Sequence, residues 1–165
     1  VLQRSRNYGP PAARPVQVEV YAFRGVPGLA YRRVAGHLGA GETPDLAVAR
    51  LVGLHDGDAL VHSTSWRPMP DGTIVLTYAV APEPRPAETA TPLEDLTLAS
   101  GDEPSRPTPP EVTNDQVAAH AVRHLGFLLD TDPSARAALE RDPALTALLA
   151  DLPPALAGKL ATSSA

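Results

Sequence analysis

The sequence contains no cysteine, a single lysine (Lys159), a single isoleucine (Ile74) and few aromatic residues, 4% of its 165 positions. Without cysteine there is no disulfide scaffold, no thiolate zinc site and no thiol nucleophile. No apolar run approaches the ~18 residues a membrane span requires, so no membrane partner is expected. Val1 to Pro15 carries three arginines and no apolar core, unlike a secretory signal. The expected location is therefore cytoplasmic. Positive charge is also scarce: the formal net charge is −5, a poor footprint for phosphate backbones, and no nucleic-acid partner is expected. The 13 arginines beside that one lysine, together with 27 alanines, fit the coding bias of a GC-rich gene.

What is abundant is proline, 19 residues, and its distribution divides the chain. Residues 1–14 are polar and read as a flexible arm. Residues 15–81 hold all the strand-like patterning. Residues 82–111 contain eight prolines and read as an extended connector, because proline removes donors and fixes φ. Residues 112–165 read as helical. No internal repeat is visible.

Val16, Val18, Val20 and Ala22 alternate with Gln17, Glu19, Tyr21 and Phe23, the period of a half-buried strand. Ala59 to Trp66 and Thr73 to Val80 are two further strand-like runs. Asp71-Gly72 between them is a turn signal, which predicts an antiparallel hairpin. Gly36-His37-Leu38-Gly39-Ala40-Gly41-Glu42 reads as a glycine-rich loop. Thr43-Pro44 then supplies a helix cap and first residue, and the apolar spacing of Leu46, Val48, Ala49, Val52 and Leu54 predicts a helix to about His55, with Gly57 ending the segment.

This constellation resembles the box of the Nudix hydrolases, Gly-x5-Glu-x7-Arg-Glu-U-x-Glu-Glu-x-Gly-U, where U is a bulky apolar residue. Gly36, Glu42, Arg50, Val52 and Gly57 fall in register with it, and Gly41-Glu42-Thr43-Pro44 is similar to the segment that opens the family's box helix. The resemblance covers about residues 15–82. It implies an α+β fold, a Nudix-like mixed sheet with a box helix, to which a C-terminal helical extension is added. The departures are chemical. Where the family has glutamates that hold Mg²⁺ or Mn²⁺, this chain has Leu51, Leu54 and His55, two hydrocarbons and an imidazole ill suited to a hard cation. Only Glu42 survives of four carboxylates. The expectation is a degenerate domain without catalytic residues, metal or other cofactor, kept for ligand binding or assembly. A phosphorylated small molecule is the expected ligand, with Gly36, Glu42, Arg50, His55 and His62 as candidate binding residues.

Other readings compete. Asp45, Asp56 and Asp58 could form a substitute metal site, although acids at helix ends are usually solvated. His37, His55 and His62 could form an imidazole cluster suited to Zn²⁺. An active pyrophosphohydrolase acting on nucleoside diphosphate derivatives would need ligands recruited from elsewhere, such as Glu19, Asp71 or Glu83.

In the last third, Thr113 and Gln116 have the spacing of a capping box, and Asp132-Pro133 and Asp142-Pro143 each predict a new helix start. Leu125, Leu128, Leu129, Leu139, Leu145, Leu148, Leu149 and Leu152 give these helices apolar stripes, and Ala155 to Ala161 add a last turn. Such short helices need a surface to pack on. The strand unit, one another, or a homodimer partner could supply it. His120 and His124 lie four residues apart on the first helix, but Ala121 stands where a metalloprotease motif needs glutamate, so a polar helix flank is expected.

Overall fold

A computed structural model of the chain describes residues 14–55, 57–99 and 112–153. Residues 1–13 of the arm expected at 1–14, Asp56, residues 100–111 of the proline-rich connector and the last turn expected at Ala155–Ala161 lie outside the described residues.

The protein is α+β. Its elements are β1 (Val16–Arg24), β2 (Ala30–His37), α1 (Pro44–Val52), β3 (Leu60–Pro68), β4 (Ile74–Ala81), β5 (Thr91–Pro92), α2 (Asn114–Thr131), α3 (Pro133–Leu139) and α4 (Pro143–Ala150). The strands form one mixed sheet in the order β3-β4-β1-β2-β5. β1 is central, antiparallel to β2 and parallel to β4. The hairpin of β3 and β4 is antiparallel as its sequence predicts, and Gly72 supplies the left-handed turn residue at φ 87°.

The alternation along β1 sorts its side chains between two helical layers. Val18, Val20 and Ala22 pack with Val80 and Tyr78 of β4 against Ala47, Val48 and Val52 of α1. Tyr21 and Phe23 point to the other face, where Tyr31, Ala79 and Ala81 meet Ala118, Val122 and Leu125 of α2, Leu139 of α3 and Leu145 of α4. The half-buried expectation for β1 is corrected: helices cover both of its faces, and Glu19, Tyr21 and Phe23 are as buried as the valines. The C-terminal helices thus find their packing surface on the strand unit.

Three boundaries also differ from the sequence reading. Gly36 and His37 belong to strand β2, pairing with Val18 and Gln17, so the loop is confined to residues 38–43. α1 ends at Val52 because Gly53, at φ 70° and ψ 42°, takes the left-handed cap and donates its N–H to the Ala49 carbonyl. Leu54 continues the apolar pattern from outside the helix and still packs on the α1 layer. Within the connector, Thr91–Pro92 pairs with Tyr31 and Ala30 as β5, and Leu93 enters the core beneath α2. Arg24 Nη1 donates to the carbonyls of Pro86 and Glu88, fastening the same segment to the end of β1.

The capping signals of the last third act as read. Thr113 and Gln116 form a reciprocal capping box on α2, and the Asp132 and Asp142 carboxylates cap α3 and α4 ahead of their prolines. Asp142 also accepts from the Gly25 N–H at 3.1 Å. A Cβ on Gly25 would collide with the Leu145 backbone, so glycine permits α4 to sit against the end of β1.

Candidate functional site

The loop before α1 and the helix itself carry two of the five candidate binding residues, Glu42 and Arg50, while Gly36 lies at the end of β2, His55 just past the helix and His62 in β3. Thr43 caps the helix through Oγ1, which accepts the Leu46 N–H at 3.4 Å, and Pro44 occupies the first turn. Glu42 and Arg50 form a two-point ion pair, Arg50 Nε to Oε1 and Nη2 to Oε2, both at 2.8 Å. Glu42 Oε2 also accepts the Gly39 N–H at 2.8 Å, while Arg50 Nη2 donates to the His37 carbonyl at 3.1 Å. The Arg50 hydrogen bonds, and then the Gly39 N–H, hold the Glu42 carboxyl down to about 2. The pair staples the loop to both β2 and α1, with both Glu42 oxygens engaged in that task.

Gly36 lies beneath Leu51: a Cβ there would come within 2.8 Å of Leu51 Cδ2. Leu51 and Leu54 both pack on the α1 apolar layer. Leu51 on the helix and Leu54 just beyond it therefore turn hydrocarbon towards the sheet at two of the three positions where the resemblance would place carboxylates. His55 is exposed just past the helix, its backbone N–H donating to Asp58 Oδ2 at 3.3 Å.

His62 is not brought to this group. It pairs with Ala79, on the face covered by α2, and its ring stands 5.6 Å from that of His124. His124 in turn meets His120 edge to face at 4.6 Å. Burial lowers the pKa of all three; for His124, whose value falls to about 4, proximity to the other two adds to the effect. The cluster of His37, His55 and His62 is thus replaced by one of His62, His120 and His124. Its members come from a strand and a helix about 60 residues apart in sequence, and only the i, i+4 pair was visible beforehand. Among the described residues, no three histidine, aspartate or glutamate side chains are arranged to hold a metal ion.

The carboxylates considered as recruited ligands have partners of their own. Glu83 accepts Arg32 Nη2 at 2.7 Å and the Arg85 N–H at 3.0 Å. Asp71 caps its turn by accepting the Thr73 N–H at 2.9 Å. Glu19, with no exposed surface, accepts Arg67 Nη1 at 2.5 Å, Thr77 Oγ1 at 2.8 Å and Arg33 Nη2 at 3.0 Å. Desolvation alone would raise the Glu19 pKa, but hydrogen bonds from Arg67, Thr77 and Arg33 outweigh it and keep the carboxylate ionised. The sequence signal for this group was a lone acid inside the valine run Val18-Glu19-Val20. A charge at the centre of a strand requires a partner.

No protein-family profile, curated protein or solved structure matches the chain. Among the described residues no helix is long and apolar enough to cross a membrane.

Proposed function

We propose that residues 15–81 are a Nudix-like unit that binds a phosphorylated small molecule without hydrolysing it. The observation that carries this reading is the state of the box helix. Leu51 and Leu54 lie in the apolar layer, and the one remaining box carboxylate, Glu42, is committed to Arg50 and Gly39. A divalent ion assisting phosphate chemistry needs anionic oxygens directed at a common point, and it supplies several kcal/mol of stabilisation to the transition state. The helix offers no such set. The engaged state of Glu19, Asp71 and Glu83 argues in the same direction against the hydrolase alternative.

In this reading the protein is cytoplasmic and acts by binding or assembly. Self-association, where it occurs, uses the helical region, whose Phe127 and Leu148 are exposed. The deciding experiment is a panel of nucleoside diphosphate derivatives assayed with Mg²⁺ and Mn²⁺. No phosphate release is expected, and phosphorylated ligands should raise the melting temperature equally well in EDTA. Metal-dependent turnover that disappears in Glu42→Gln would overturn the proposal.

A further inference from the structure

The face covered by α2 is dry at one end of the sheet and polar at the other. Strand register places Glu19 of β1 beside Thr77 of β4, with Arg33 of β2 and Arg67 of β3 one row away on opposite sides. The two guanidiniums straddle the carboxylate and bind a different oxygen of it. Glu19 is sealed from water, yet Arg33 and Arg67 keep 35% and 32% of their side-chain surface. Among the described residues, Glu19 is the only carboxylate paired with either arginine, so the triad has a formal surplus of one positive charge. Each guanidinium has five N–H donors, and the carboxylate takes one from each. The Tyr21 hydroxyl, donating to Asn114 Oδ1 at 3.2 Å, stands beside Arg33 on the same face.

Glu19 does more here than neutralise. By anchoring one nitrogen of each arginine it removes much of the rotamer freedom that a ligand would otherwise have to freeze. The donors that Glu19 leaves free lie on both flanks of its carboxylate, and a tetrahedral oxyanion, whose several oxygens can accept from two forks, suits them better than a planar carboxylate that pairs with one. We propose that Arg33 and Arg67, aimed by Glu19, receive the phosphate group of a small phosphomonoester. The proposal rests on the binding reading above and adds its site, which is on the sheet face opposite the box helix.

The test titrates the intact chain with inorganic phosphate, then with ribose 5-phosphate against ribose, by calorimetry at constant ionic strength set with sodium chloride. Saturable phosphate binding is expected, with ribose silent. Arg33→Gln should weaken it about tenfold, the size of one lost charge-assisted contact, while Arg136→Gln on the exposed surface of α3 leaves it unchanged. Because a glutamine at either arginine strips a partner from buried Glu19 and could unfold the chain, Arg33→Lys is the second variant. It keeps the charge but loses the fork, and should weaken phosphate severalfold without lowering the melting temperature. Wild-type chain that takes no phosphate, or Arg33 variants that bind as wild type does, would overturn the site while leaving the absence of hydrolysis intact. Metal-dependent hydrolysis with Arg33-dependent phosphate binding would overturn the non-hydrolytic reading and keep the site.

Discussion

The two faces of the sheet are covered by different means. On one, a single nine-residue helix packs alanine and valine onto valine, and its entry loop is stapled by Glu42 and Arg50. On the other, three helices bring leucines onto Tyr21, Phe23 and Tyr31, and the helical cover sits next to a charged triad and three histidines. The contrast teaches that resemblance and chemistry have parted. The face that carries the positions aligned with the box is occupied by packing and self-satisfied hydrogen bonds, whereas the partly exposed arginines and the histidine cluster lie across the sheet.

Core truncation should separate the faces most strongly. Leu125→Ala, at the centre of the three-helix layer, is expected to cost about 3 kcal/mol, and Val48→Ala in the thinner layer about 2 kcal/mol, read from urea unfolding. Equal losses would mean that the two layers share their load evenly.

Between about pH 6.5 and 4, acid should act through the α2 face. Burial, reinforced by His120 and His62, holds His124 near 4, while an unfolded histidine titrates near 6.5. As pH falls below 6.5 the unfolded chain takes up protons first. The stability contributed by the neutral imidazole is therefore complete above that value and is lost progressively down to about 4. A falling thermal midpoint across this window is expected, with a shallower slope in His124→Gln. An unchanged slope would show that the histidine cluster titrates freely.

The smallest effect belongs to the exposed staple. Glu42→Gln should scarcely move the thermal midpoint, since the pair is open to solvent, but it should speed hydrogen exchange at the Gly39 amide. The same loss of protection is expected in the wild type on acidification from 4.5 towards 2, where Glu42 takes its proton.

Much of the local architecture was legible because its causes are local. Period two marked β1, Asp71-Gly72 marked the hairpin, and Thr113 with Gln116, Asp132 and Asp142 marked three helix starts. The misread features depend on partners distant in sequence. Gly36 is a strand residue because Val18 pairs with it, and β5 exists because Tyr31 and Ala30 offer an edge to two residues of a proline-rich stretch. Gly57 carries the stop signal in the sequence reading, and the periodicity running on through Leu54 conceals that Gly53 ends α1 first. For the site, Glu42 and Arg50 were singled out by their spacing, but their pairing with each other emerges only from the fold. The meeting of Arg33 with Arg67 depends on strand order, and that of His62 with His124 on where α2 lies across the sheet. Neither is encoded in a short window.

The fastening of residues 82–93 has a practical corollary. Leu93 is inserted under α2, Glu83 is clamped by Arg32, and Arg24 grips the carbonyls of Pro86 and Glu88. A fragment trimmed after Ala81 would leave three aromatic rings facing water, with their cover removed along with the strap that guides it into place. Dissecting this protein into halves would yield sticky pieces, and its properties belong to the undivided chain.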